Sequence, residues 1–202
     1  MRIFHDSAPR LLHLLLLIEL FVLSSSHPIH RSSLCSVYKS MSHHVDRLMD
    51  SAKRLHDLTD DELINFEGAE SKLDSLPHIP HTAVDLRTIK VNESLARLLN
   101  YSQSFQLHVD WLKTARENVS LPFQPAESAS THLLQLSKLI KTSLQQINEE
   151  APPPPSASLP VVSSAFEALQ FSVEISGRLQ GFGHWSKRVL QLLRSQSHCP
   201  RH

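Results

Sequence analysis

The sequence predicts an all-α fold, a long-chain four-helix bundle with its helices running up-up-down-down. Three observations carry this reading. Four stretches repeat apolar residues in alternating steps of three and four, the spacing of one helix face. Leu is abundant and β-branched runs are scarce. Gly numbers only four in 202 residues, too few turn formers for a many-turned β-sandwich or a Gly-looped nucleotide fold. The links between the stretches are long, short and Pro-rich in turn, which suits one closed domain. Lys and Arg total 20 against 20 Asp and Glu, and this balance argues against bulk nucleic-acid or anionic-membrane binding.

Residues 1–26 read as a secretory signal peptide. Arg2 and Arg10 give a positive start, Leu11 to Leu23 an apolar run, and Ser24 to Ser26 small residues for cleavage. The run is shorter than the roughly 20 apolar residues of a spanning helix, and it contains His13 and Glu19. Residues 27–202 then form the bundle domain, with no later stretch fit for membrane insertion.

The first bundle helix is expected over about 33–57, on a seam of Leu34, Tyr38, Met41, Val45, Leu48, Ala52 and Leu55, with Ser32 or Ser33 as cap. The second covers about 89–116 through Val91, Leu95, Leu98, Ser102, Phe105, Val109 and Leu112. The third covers about 127–149 through Leu133, Leu136, Ile140, Leu144 and Ile147, with Leu134 and Leu139 widening the stripe. Pro125 suits its entry and Pro152 stops it. The fourth covers about 162–196. Its seam is Val161, Ala165, Ala168, Ser172, Ile175, Leu179, Phe182, Ser186, Val189 and Leu193. Gly177, Gly181 and Gly183 lie inside it and mean either a soft middle or close packing at small residues.

The short link between the second and third helices makes them antiparallel neighbours, and the long first link permits a crossover. The Pro-rich link Ala151 to Pro160 is either a floppy connector or a polyproline strut. As a strut of some 12 residues it reaches about 37 Å, the length of a whole helix. In that case the first helix starts, and the fourth ends, at one pole of the bundle. Cys35 and Cys199 then meet as a disulfide; the alternative is two free or intermolecular thiols. The sequons at Asn92, Asn100 and Asn118 fit an exported chain.

Chemistry-bearing motifs are absent: no HExxH, no GxSxG, no phosphate-cradling Gly loop. His43 and His44 are adjacent, point different ways on a helix and cannot clamp one metal ion together. Asp60, Asp61 and Glu62 read as an acidic loop, and Phe66 to Pro80 as a packed crossover. The expectation is no enzyme, no cofactor and no metal. Trp111 reads as packing. Phe166, Leu169 and Val173 widen the apolar face at the start of the fourth helix, either as a contact surface or beneath the crossover or strut. Lys187, Arg188 and Arg194, with His184 and Gln191 near Trp185, gather at its other end, as binding anchors or as a solvated face suited to the helix dipole.

Leu73 to Pro77 (LDSLP), His108 to Leu112 (HVDWL), Pro152 to Pro155 followed by Ser163 to Phe166, and Trp185 to Arg188 with Leu190, Leu192 and Leu193 occur in an order and spacing that resembles the interleukin-11 family of interleukin-6-type helical cytokines. The likeness covers most of residues 27–202. It implies a secreted cytokine, monomeric when free, that binds a specific interleukin-11-type alpha receptor and recruits glycoprotein 130 to activate JAK/STAT signalling. It implies an alpha-receptor surface on Trp185 and Arg188. It implies a glycoprotein 130 surface on the first and third helices, here Arg47, Arg54, Lys138 and Lys141. It implies a third receptor site at the start of the fourth helix, where Phe166 stands in place of the family's Trp. The Cys pair, the sequons and the neutral charge depart from the family pattern. Competing readings are another interleukin-6-family cytokine such as leukaemia inhibitory factor, or a secreted lipid-carrying amphipathic protein.

Overall fold

The computed structural model describes residues 28–66, 73–79 and 90–200; the expected signal segment 1–26 lies outside these residues. Five helices appear among the described residues and no strand. They are α1 (Pro28–Lys53), α2 (Asp60–Phe66), α3 (Val91–Asn118), α4 (Gln124–Gln146) and α5 (Ala165–Gln196). The four long ones are the expected seams, with shifted ends. α1 starts five residues earlier than the Ser caps suggested, because Pro28 suits a first helical position. α5 starts later, at a cap formed by Ser164, whose hydroxyl accepts from Glu167 N. Val161 and Ala165, expected on the seam, therefore fall outside or at the edge of the helix. Val161 is 94% exposed.

The helix ends show where scarce Gly was replaced. α3, α4 and α5 are followed by Ser120, Asn148 and His198, each in the left-handed region, at φ 59°, 56° and 54°. In each case the next amide bonds five residues back: Leu121 N to Arg116 O, Glu149 N to Leu144 O, and Cys199 N to Arg194 O. This is the Schellman geometry built without its usual Gly. α2 corrects the acidic-loop expectation. Thr59 and Glu62 form a reciprocal capping box, Thr59 N and Oγ1 each donating to Glu62 Oε2 at 2.8 Å. That box converts the Asp60–Glu62 run into a first helical turn.

Cross-helix pairs fix how the long helices pack. Along α1 and α5, Cys35 meets Cys199, Asp46 meets Lys187, and Ala52 O accepts from Ser176. Along α1 and α4, Ser33 meets Gln146, His44 meets His132, and Ser51 meets Ser128. Along α3 and α4, Ser102 meets Ser137 and Lys113 meets Glu127. Along α3 and α5, Tyr101 meets Trp185, Phe105 meets Phe182, and Arg116 meets Ser172. In every series one number rises as the other falls, so each packed pair is antiparallel.

The seams supply the core: Tyr38, Met41, Leu48, Leu98, Phe105, Leu112, Leu133, Ile140, Ile175, Leu179 and Phe182 are buried. The serines on the seams are buried too. Ser102 bonds Ser137 at 2.8 Å, a small polar pair that satisfies itself where two helices approach. Leu134 was expected to widen the α4 stripe but is 39% exposed.

The Pro-rich link is an extended strap along α3. Glu149 accepts from Asn92 Nδ2, while Pro160 O accepts from Trp111 Nε1 at 3.0 Å. Eleven residues of link thereby span nineteen of α3, about 28 Å at a helical rise of 1.5 Å. Trp111 also stacks edge-on against Phe171, centroids 5.1 Å apart, so its packing role is to clamp the strap onto α3 and α5.

The two α5 glycines the structure distinguishes differ in kind. A Cβ on Gly183 would stand 2.4 Å from Met49 Cγ, so α1 and α5 need hydrogen there. A Cβ on Gly177 would meet nothing within 4 Å. Gly177→Ala should therefore raise stability by about 1 kcal/mol. Gly183→Ala should lower it, by about 1–3 kcal/mol, through overpacking. Denaturant midpoints of the two variants check the opposite signs.

Candidate receptor-facing surfaces

Three basic side chains, Lys187, Arg188 and Arg194, gather where the end of α5 meets α1. Ser42, Asp46, Lys187, Arg188, Gln191 and Arg194 line an open groove there. The Cys35–Cys199 disulfide closes the same pole, with Cα atoms 5.6 Å apart. Asp46 pairs with Lys187 at 2.5 Å. That leaves the exposed Arg188 guanidinium without an ionic partner among the described residues. Trp185 corrects its expected place beside Arg188. It is 8% exposed, packed between Tyr101 and Phe182 with centroids 5.3 and 6.3 Å away. Three residues after Phe182 and four before Val189, it stands on the core stripe and not on the surface. It supports the helix from behind, while Arg188 faces out.

At the opposite end of α5, Phe166 is 57% exposed in the first helical turn, close in sequence to the exposed Val161. Leu169 and Val173 are half-buried. The apolar face is thus partly covered and partly presented.

The crossover stretch 73–79 is latched to α3 and the middle of α5. Leu73, Leu76 and Ile79 are buried. Leu73 N donates to Glu174 Oε2 at 3.0 Å, and Arg178 reaches His78 Nδ1 at 2.8 Å. Ser75 Oγ lies 2.9 Å from His108 Nε2, and His108 Nδ1 lies 2.7 Å from Ser104 O. The carbonyl can only accept, so Nδ1 carries a proton; in the neutral ring Nε2 then accepts from the Ser75 hydroxyl. Burial pushes its pKa below the usual histidine value, against the raising effects of Ser104 O and Glu174. Burial does the same to His56, opposed by Asp57 and helped by Arg116.

The sign of the resulting pH dependence follows. Both folded pKa values lie below the unfolded one, so the unfolded chain binds more protons at mildly acid pH. Their contribution is complete above about pH 6.5 and shrinks as pH falls through that value toward the folded pKa. The melting temperature should therefore drop between pH 7.5 and 5, and His108→Gln should flatten the slope.

Arg47 on α1, Arg54 just past its end, and Lys138 and Lys141 on α4 are all exposed. The structure does not gather them. Ser51–Ser128 and Ser33–Gln146 set the register of the two helices. From it, Arg54 and Lys141 lie about 25 Å apart along the bundle axis. Sequence reasoning missed the pair between them: His44 and His132 bring their Nδ1 atoms to 3.4 Å, with Arg47 near enough to perturb His132. Among the described residues no three His, Cys, Asp or Glu side chains form a metal-ligand cluster. No described helix is long and apolar enough to cross a membrane. Of the sequon residues, Asn100 and Asn118 are exposed, whereas Asn92 is half-buried and bonded to Glu149.

Four long helices in antiparallel contact, a latched crossover after α1 and an extended link between α4 and α5 make the arrangement found in helical cytokines. The family model for interleukin 11 matches residues 28–197. The chain belongs to the interleukin-11 family, and it is a cytokine, not an enzyme. No curated protein sequence matches it.

Proposed function

We propose that this interleukin-11-like cytokine is secreted, binds an interleukin-11-type alpha receptor and then recruits glycoprotein 130 to activate JAK/STAT signalling. The observation that carries the reading is the chemical difference between the two ends of α5. One end offers an exposed Arg188, with no ionic partner among the described residues, on the lining of an open groove. The other offers the exposed aromatic ring of Phe166. The antiparallel pairs of the bundle support the up-up-down-down order that leaves both ends of α5 open.

Export fits the signal-like residues 1–26, the Cys35–Cys199 disulfide and the exposed sequons Asn100 and Asn118. Asn92, already bonded to Glu149, is the least accessible of the three glycan acceptors. Arg47, Arg54, Lys138 and Lys141 contribute to the glycoprotein 130 face as a row along α1 and α4, not as a cluster. Arg188 acts as the alpha-receptor anchor, and Trp185 behind it holds the helix surface in place.

Arg188→Ala should weaken alpha-receptor binding by more than about 1 kcal/mol, since charged anchors dominate such contacts. The fold should be unaffected because the side chain is exposed. Biosensor titration of the secreted protein on the alpha-receptor ectodomain reads this directly. Unchanged affinity with an unchanged melting temperature removes Arg188 from the site.

A further inference from the structure

The sequence pairs His43 with His44 and finds no way for neighbours on a helix to share an ion. The fold supplies a different partner. His44 on α1 and His132 on α4 are 88 positions apart in the chain, yet their Nδ1 atoms are 3.4 Å apart. We propose that these two rings form a binding site for a divalent transition-metal ion of the Zn2+ type, held through both Nδ1 atoms.

The argument begins with distance. Two imidazole nitrogens bound to one tetrahedral Zn2+ at about 2.0–2.1 Å stand roughly 3.3–3.4 Å apart. The pair already has that separation. Its ring centroids are 5.6 Å apart and the planes tilt by 45°, so a modest ring rotation aims both lone pairs at a common point. The scaffold is also fixed. Ser51–Ser128 at 2.9 Å pins α1 to α4 on one side of the pair, and Ser33–Gln146 at 3.2 Å pins them on the other. Neither helix has to move to bring the ligands together, which spares the ordering cost of building a site.

Ligand chemistry selects the ion. Imidazole nitrogens suit Zn2+, Cu2+ and Ni2+, while Mg2+ and Ca2+ require oxygen donors. Burial first and neighbouring positive groups second disfavour the charged form of both rings. The hydrogen bond between them puts a proton on one Nδ1, and that ring must shift it to Nε2 before both Nδ1 atoms can hold the ion. Arg47 and His43 oppose a cation here, but both are exposed and their repulsion is screened by solvent and salt. The rings are half-exposed, so water fills the remaining coordination positions, as in open zinc sites. With two protein ligands and not three, the site is one of moderate affinity. An ion there ties α1 to α4 and adds positive charge beside Arg47.

The test is independent of any receptor. The intact folded chain is titrated with ZnCl2, and separately with MgCl2, while nitrogen-resolved NMR spectra of its imidazoles are recorded. Zn2+ should move the Nδ1 signals of His44 and His132, and Mg2+ should leave them in place. His44→Gln and His132→Gln should each weaken this Zn2+ binding at least about tenfold. Wild-type Nδ1 signals that stay fixed while other histidines respond would overturn the proposal. So would the same Zn2+ affinity in both variants.

Discussion

Replacing Cys35 and Cys199 together by Ala should lower the stability of the folded chain by about 3–5 kcal/mol, the largest effect expected of any change outside the apolar core. The bond joins residues 164 positions apart. In the chain-entropy model, closing so long a loop removes much of the unfolded chain's freedom, worth roughly 5 kcal/mol at most. Part of the effect therefore belongs to the unfolded state, and it has its own signature. Without the bridge the unfolded chain expands and exposes more surface, so the denaturant m-value should rise as the midpoint falls. Equilibrium unfolding in urea measures both. A loss below about 1 kcal/mol with an unchanged m-value contradicts this account of the bridge. The bridge also ties the start of α1 to the residues that follow α5, beside the Arg188 groove.

Arg116→Met should cost about 3 kcal/mol, although it removes a buried charge. Arg116 is 3% exposed. Its Nε donates to Pro122 O at 2.6 Å, and its Nη1 donates to Leu55 O at 2.8 Å and to Ser172 Oγ at 2.7 Å. One guanidinium therefore joins the residues after α1, the α3–α4 turn and α5. Burial lowers its pKa, with Asp57 opposing. Replacing a buried ion pair by apolar groups is often neutral, because both partners disappear. Here the acceptors are two backbone carbonyls and a hydroxyl, and they stay behind. Each buried acceptor left without a donor costs about 1–3 kcal/mol, offset in part by the desolvation that Met avoids. Arg116→Lys should also destabilise, since one ammonium lacks the rigid fork that reaches three acceptors. A Met variant as stable as wild type contradicts this role for Arg116.

The sequence was most legible where one periodicity acted alone. The four seams lie in the core apart from Val161 and Ala165, and the disulfide joins the cysteines expected to share a pole. Its failures have separate physical causes. The ends of α3 and α4 moved because Ser120 and Asn148 take the left-handed stop that a Gly search overlooks. α2 was hidden in an acidic run, although the Thr59-to-Glu62 spacing was a capping box in plain view. Trp185 is a different kind of miss. Its spacing from Phe182 and Val189 puts it on the core stripe, but its nearness to Lys187 and Arg188 grouped it with the outward basic residues, and the family likeness agreed. Periodicity was the better guide for that residue. His44–His132, Arg116 and the His108 latch had no signal in one sequence, because each depends on which helices meet and in what register.

The proposed division of labour between the two ends of α5 is tested by one side-by-side measurement. Arg188→Ala and Phe166→Ala are each assayed for alpha-receptor affinity and for glycoprotein 130-dependent STAT phosphorylation at saturating alpha receptor. Weakened alpha-receptor binding is expected for Arg188→Ala alone. Phe166→Ala should bind the alpha receptor like wild type and signal poorly. A Phe166→Ala protein that signals fully, or that loses alpha-receptor binding to the same extent as Arg188→Ala, contradicts it.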